Sequence, residues 1–279
     1  MLETNIHVRI LLKTNKGGKD MKVSDRHQFI LDCLKQSQYV DVTYLKTVLN
    51  VSEMTIRRDL ARLEEEEFLL RVHGGARRIP SHKFEAPLDS RILENAAAKN
   101  AIGKYAAGLV ENGDVITLDS SSTTYNMVKY LQDKNITIIT NNISVALGFA
   151  ESKTVEVILL GGRMRKSSLY IYGYDMLEMM KKYNTDKAFF SSTSLDVQHG
   201  LTNVNIDEGE AKKAMIASAN ELYLLMDASK FGSKAYYLVT PMDKLQNIIT
   251  NQAKFDDKAN NLFKACKKYN IKLHFCKEE

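Results

Sequence analysis

From Val115 onward the chain is a succession of short apolar runs separated by segments of helical length. They are Val115–Leu118, Ile136–Ile139, Val155–Leu160, Ala188–Phe190, Leu222–Met226 and Ile248–Ile249, with a last strand expected near Leu273–Phe275. An unbroken apolar run leaves no side for solvent, so a strand built from it must be covered on both faces. Such runs alternating with helices dictate a parallel sheet between helical layers. The expected fold is therefore α/β, with a Rossmann-like domain over residues 89–279 that opens with a long helix from about Asp89 to Val110.

Ligands of such sheets gather beyond the carboxyl ends of the strands. The residues expected there are Asp119, Ser120, Ser121, Ser122, Thr123 and Thr124, then Thr140 and Asn141, then Gly161, Gly162 and Arg163, then Ser191 and Ser192, and finally Asp227 to Lys230. The loop Ser120–Thr124 joins a strand to a helix N-terminus and carries only hydroxyl side chains. Backbone N–H groups, hydroxyls and the helix dipole together suit a phosphate. Lys230 offers a charge for the same anion, while Asp119, Asn141 and Asp227 can accept from sugar hydroxyls. Any one of these loops, alone, reads as a helix cap or a turn. Five of them on one edge point to a polar small-molecule cleft. Neither GxxxxGK[ST] nor GxGxxG occurs, which disfavours a nucleotide.

The other informative stretch is Val51–Ala76. Ser52 is placed to cap a helix from about Glu53 to Glu66, in which Ile56, Leu60 and Leu63 form one apolar face while Thr55, Arg57, Arg58 and Arg62 fall away from it. A shorter helix, Val42–Leu49, precedes it behind Asp41, and Phe29, Ile30, Cys33 and Leu34 make a first amphipathic helix. Two helices joined by a short turn, the second with Thr and Arg near its start, form a helix-turn-helix suited to a major groove. Phe68–Val72 and Ala76–Ile79 read as a hairpin wing, with His73-Gly74-Gly75 at its tip and the glycines supplying a turn of positive φ. Arg71, His73, Arg77 and Arg78 flank that tip, where phosphates would lie. The plainer alternative is a surface helix with ordinary arginines beside a glycine turn.

The motif from Ser52 to Leu60 (SEMTIRRDL), followed by Arg71-Val72-His73-Gly74-Gly75-Ala76, closely resembles the N-terminal signature of DeoR-type bacterial transcriptional regulators. Leu118–Thr124, Ile139–Asn141, Leu160–Gly162, Glu208 with Lys212 and Met215, and Asp227–Gly232 resemble the sensor domain of the same family. That resemblance implies a winged helix-turn-helix joined to a fold shared with sugar-phosphate isomerases, and a phosphorylated sugar as effector. It implies a repressor of sugar metabolism genes that works on operator DNA as a homodimer or homotetramer. Glu208 joins the expected effector residues on this ground. Departures from the family pattern are Glu67, Ser121, Ser191 and Ser194, where many relatives carry glycine. The expected organisation is a disordered extension over 1–20, the DNA-binding domain over 21–79, a proline-bounded linker over 80–88, and the sensor domain over 89–279. Met21-Lys22 lies just before the family pattern, so residues 1–20 are read as the product of an upstream start codon.

Bulk properties only bound this reading. The 39 Lys and Arg against 34 Asp and Glu give a net charge of +5, which suits a polyanion partner without demanding one. Three cysteines, odd in number and far apart in apolar stretches, suit the reduced thiols of a cytoplasmic protein. The six histidines show no metal-ligand spacing, no apolar run is long enough to span a membrane, and no cofactor is expected. The rival expectation is a sugar-phosphate isomerase or deaminase carrying a DNA-binding module, with Asp119, Glu208 and Lys230 as acid–base groups.

Overall fold

The computed structural model describes residues 22–65, 68–78, 88–251 and 257–278. The chain forms two compact units, Met1–Phe84 and Glu85–Glu279. Expectations for residues 1–20, for Glu67 and for the linker segment 80–87 lie outside the described residues. No helix among the described residues is long and apolar enough to cross a membrane.

In the first unit, helices Val23–Gln36, Val42–Leu49 and Glu53–Glu65 pack with three short antiparallel strands: β1 (Tyr39–Asp41), β2 (Leu69–Val72) and β3 (Gly75–Arg78), in the order β1-β3-β2. The core is Phe29, Ile30, Leu34, Val40, Leu45, Leu49, Ile56, Leu60, Leu63, Leu69 and Ala76, so the apolar positions read from the sequence do face inward. Asp41 caps the second helix by accepting from Thr43 N (2.7 Å) and Tyr44 N (3.1 Å). Asn50 then turns left-handed at φ 51°, a conformation its short polar side chain tolerates, and the third helix starts three residues later. At the hairpin tip only Gly74 has a positive φ, 78°. Gly75 is needed for a different reason. It lies in the central strand β3, where a β-carbon would collide with the Val40 carbonyl oxygen and the Tyr39 ring.

The second unit is built on one seven-stranded parallel sheet. Its strands are β4 (Val115–Leu118), β5 (Ile136–Thr140), β6 (Val155–Leu159), β9 (Thr185–Phe190), β12 (Ala219–Leu225), β14 (Asn247–Asn251) and β15 (Lys272–Cys276), in the order β15-β14-β12-β9-β4-β5-β6. All seven apolar runs become strands of this sheet. Alternation along the strands feeds two cores: Ile116, Leu118, Ile138, Phe189, Tyr223 and Leu225 pack on one side, and Ala188, Phe190, Leu222, Leu224 and Ile248 on the other. A hairpin of β7 (Arg163–Arg165) and β8 (Tyr170–Tyr172), and a small antiparallel sheet of β10 (Ser194–Asp196), β11 (Gly200–Asn203) and β13 (Tyr237–Thr240), are interleaved among the crossovers. These elements carry no long apolar run, and the sequence reading did not anticipate them.

The expected long helix from Asp89 to Val110 is in fact two, Leu88–Leu93 and Ala96–Gly108. Asn95 breaks it at φ 52°. Its side chain turns to the far end of the sheet, donating to Asp227 Oδ1 (3.1 Å) and Ser229 Oγ (3.2 Å). The break is thus a tertiary effect, imposed on a segment whose alanine-rich composition favours continuous helix.

Candidate functional sites

The helix Glu53–Glu65 opens on Ser52, whose Oγ accepts from Thr55 N (3.1 Å) and shares a hydrogen bond with Thr55 Oγ1 (2.8 Å). Both hydroxyls are thus occupied at the cap. Arg57, Arg58 and Arg62 are exposed. Arg57 pairs with Glu53 one turn back (2.7 Å). On the wing, Glu64 Oε1 accepts from Arg71 N and its Oε2 from Arg71 Nε, each at 2.8 Å. His73 and Arg77 are exposed and Arg78 is half-buried. All nine residues expected at a DNA surface therefore lie on the recognition helix, its cap and the wing of one unit. Exposed pairs such as Arg57–Glu53 contribute roughly 0–1 kcal/mol, so exchanging a carboxylate for a DNA phosphate costs little.

Beneath this surface Asp59, on the buried side of the same helix, grips the Arg26 guanidinium through both oxygens (2.7 and 2.9 Å). His27 Nε2 lies 3.3 Å from Asp59 Oδ1. The bond to Asp59 raises the Arg26 pKa against the opposing effect of burial. A two-point contact of this kind fixes rotation of the recognition helix about its axis as well as its position.

In the second unit the chain reverses its direction of travel across the sheet between β4 and β9, the neighbours at the centre of the order. Asp119 stands at that switch point and bonds to both sides. Its Oδ1 accepts from Ser121 N (3.0 Å) and Thr124 Oγ1 (2.7 Å), and its Oδ2 from Ser191 N (3.0 Å) and Lys212 Nζ (2.9 Å). Lys212 also donates to Glu208 Oε1 (2.8 Å), which accepts from Ser120 Oγ (3.3 Å), while Glu208 Oε2 takes Asn203 Nδ2 (3.1 Å). Burial opposes the charge on Lys212, but Asp119 and then Glu208 outweigh it and hold its pKa above the ordinary lysine value.

The residues that the sequence placed along a cleft are thus drawn into a buried polar network around Asp119. Ser120 to Thr124, Thr140, Asn141, Glu208 and Asp227 are all buried. Ser121 caps its own loop by accepting from Thr124 N (3.1 Å), and Thr140 Oγ1 accepts from Asn142 N (3.1 Å). The helix after the hydroxyl loop is a single turn, Ser122–Tyr125. Its dipole adds little, and the N–H groups of Ser121 and Thr124 are already engaged by Asp119 and Ser121 Oγ. Gly161, Gly162 and Arg163 follow the edge strand β6, are exposed, and make no hydrogen bond to the Asp119 cluster among the described residues. Four buried polar atoms near the strand ends nevertheless have no hydrogen-bond partner: Thr123 Oγ1, Asn141 Oδ1, Ser191 Oγ and Asp227 Oδ2. Leaving such atoms unmade costs free energy, which a polar ligand would recover.

Two lysines missing from the sequence-derived site stand out. Lys212 is the centre of the buried cluster. Lys99, on the helix Ala96–Gly108, is 3% exposed and donates to the Arg91 carbonyl oxygen. Burial, then the charge of Lys230, push its pKa down to about 8 against the pull of Asp227 and Glu94. Lys230 itself, half-buried, donates to the Ser192 carbonyl oxygen (3.1 Å). A signal for both was in the sequence. Lys99 shares a helical stripe with Ile102, Gly103 and Ala106, and Lys212 one with Glu208, Ala211 and Met215, which are buried faces. A lysine on a buried stripe needs a partner or a task.

Comparison with known proteins gives a consistent picture. Residues 26–82 match the DeoR-like helix-turn-helix domain and residues 94–252 the DeoR C-terminal sensor domain. The chain is 33% identical over 232 residues to the HTH-type transcriptional repressor GlcR of Bacillus subtilis, covering 83% of this chain and 90% of that protein. It is 32% identical over 257 residues to the HTH-type transcriptional regulator IolR of the same organism, covering 92% of this chain and 99% of that one. Among solved structures, ribose 5-phosphate isomerase A from Methanocaldococcus jannaschii shares 20% identity over 49% of this chain and 54% of its own, with a TM-score of 0.37, a likeness too slight to carry an argument.

Proposed function

The chain belongs to the DeoR family of bacterial transcriptional regulators, and from that membership we propose that it is a repressor of sugar metabolism genes whose grip on operator DNA is set by a phosphorylated sugar in the second unit. The operator is held by Arg57, Arg58 and Arg62 in the groove and by Arg71, His73, Arg77 and Arg78 on the backbone. Most of the affinity comes from phosphate contacts and falls with salt. The protein acts as a homodimer or homotetramer, because a two-fold operator needs paired recognition helices.

The observation that carries the effector reading is the set of buried polar atoms at the strand ends without a hydrogen-bond partner among the described residues, Thr123 Oγ1, Asn141 Oδ1, Ser191 Oγ and Asp227 Oδ2, with Lys99 under the influence of both Lys230 and Asp227. The charge of Lys230 depresses that of Lys99, and Asp227 opposes it. A phosphoryl group between them would relieve that repulsion, and the sugar hydroxyls would reach the orphaned oxygens. The helix Leu88–Leu93 lies against the one-turn helix Ser122–Tyr125, and in this reading it shifts when a ligand enters. It also follows directly on segment 80–87. A ligand that binds better when this helix is displaced biases the arrangement of the leading segment.

Turnover is the weaker reading. Both Asp119 oxygens and both Glu208 oxygens are committed to Lys212, backbone N–H groups and neighbouring side chains, which leaves neither poised as a base. Thermal-shift and calorimetric titration with a panel of sugar phosphates tests the proposal, because a ligand of the native state raises its melting temperature. The expected result is that at least one phosphorylated sugar binds, that its unphosphorylated parent does not, and that Lys230→Ala weakens it. Binding of parent and phosphorylated forms alike, or of neither, would overturn it.

A further inference from the structure

We propose that Met54 is a specificity-determining residue, reading the C5-methyl group of a thymine in the major groove. The inference rests on the DNA-binding reading above. Met54 is the second residue of the helix Glu53–Glu65 and is 67% exposed, more than any other large hydrophobic side chain described in the first unit. The fold has no use for an apolar group there, since the core face of this helix is Ile56, Leu60 and Leu63. Arg57 and Arg58 stand three and four residues further on, hence one turn along the same side.

Its neighbours are otherwise engaged. Ser52 and Thr55 bond to each other, and Glu53 holds Arg57. Asp59, pinned by Arg26 on the opposite side, sets the rotation of the helix and so keeps position 54 outward. The first turn of a recognition helix is where base edges are met. Met54 brings to that turn a long, unbranched thioether that moulds to irregular apolar surface. The major-groove edge of the base pairs offers one apolar group, the thymine methyl. A hydrophobic side chain held outward in a ring of arginines and hydroxyls is matched by that group and by no hydrogen-bonding edge.

The test uses the full chain to select duplexes from a randomised library. Each thymine of the selected duplex is then replaced singly by uracil, which deletes only the methyl group. At least one replacement is expected to weaken wild-type binding about four-fold, the worth of one buried methyl group, and to leave the affinity of Met54→Ala unchanged. Met54→Leu retains the sensitivity. The salt dependence of binding is the same for wild type and Met54→Ala, because position 54 touches no phosphate. Equal uracil effects in both proteins, or no sensitive thymine at all, would overturn the assignment while leaving DNA binding in place. A library that yields no enriched duplex would instead remove the DNA-binding reading on which it rests.

Discussion

Lys212 Nζ lies 2.9 Å from Asp119 Oδ2, with both side chains 1% exposed, at the point where the strand order of the central sheet reverses. One bond thereby ties the helix Ile206–Ser218 to the loops after β4 and β9, since Asp119 also holds Ser191 N. Burying two charges is costly, and removing one of them strands the other. Replacing Lys212 by Met is predicted to destabilise the second unit by about 3–5 kcal/mol. Replacing both, as Lys212→Met with Asp119→Asn, should recover part of that loss. Urea unfolding followed by a probe in the second unit checks it, and a Lys212→Met variant as stable as wild type would show that the cluster does not hold the strand ends together.

Burial and then the charge of Lys230 push the Lys99 ammonium down to about 8 from the usual 10.5, and a phosphate beside it would stabilise its protonated form. Between those two values the unfolded chain binds the proton more tightly than the folded one. This group's contribution to stability therefore rises with pH across that window, and the penalty is fully present below pH 8. An anion beside Lys99 raises its pKa again. Effector binding near pH 8.5 is predicted to take up a proton and to weaken as pH rises further. Calorimetry in two buffers of different ionisation heat measures the uptake, which Lys99→Met should abolish. Equal heats in both buffers for wild type would exclude Lys99 from the site.

The Glu64 carboxylate takes both the Arg71 backbone N–H and the guanidinium, and under the proposed function it would compete with DNA for that arginine. The pair is partly exposed, so its own worth is small. Glu64→Gln is predicted to tighten DNA binding two- to five-fold by removing a negative charge from the wing and releasing the arginine to phosphate. Arg71→Ala should lower the slope of log K against log salt by about 0.9, the value of one phosphate contact. Fluorescence anisotropy across a salt series reads both, and an unchanged slope would take Arg71 off the DNA backbone.

The sequence carried the skeleton of this protein in its apolar pattern. All seven runs read as strands are strands, because a segment without a polar side has one way to be buried. The stripe Ile56, Leu60 and Leu63 likewise fixed which side of the recognition helix meets the core. What escaped was whatever depends on contacts between distant segments. Asn95 breaks a helix because Asp227 and Ser229 lie within reach, 132 and 134 residues further along the chain. The bonding of Ser121 and Thr124 to each other, and of Thr124 to Asp119, is local, but the tie from Asp119 to Ser191 and Lys212, 72 and 93 residues away, is not. Lys99 was visible only as a charge on an otherwise buried stripe, and Lys212 as that and as part of a family-like pattern, signals that gain their meaning once the sheet ends are assembled.

The central claim, that a phosphorylated sugar in the second unit governs the hold of the first on DNA, is tested most directly by titrating the full chain, bound to a labelled duplex selected from a random library, with sugar phosphates and with their unphosphorylated parents. The account predicts that a phosphorylated sugar which binds the protein shifts its affinity for the duplex by 5-fold or more, the lower range of allosteric coupling, while the parent sugar does not. It further predicts that Lys230→Ala keeps the duplex but blunts the shift, and that Arg58→Ala loses the duplex but still binds the sugar phosphate. Duplex affinity that stays the same at saturation with every sugar phosphate the protein binds would contradict it.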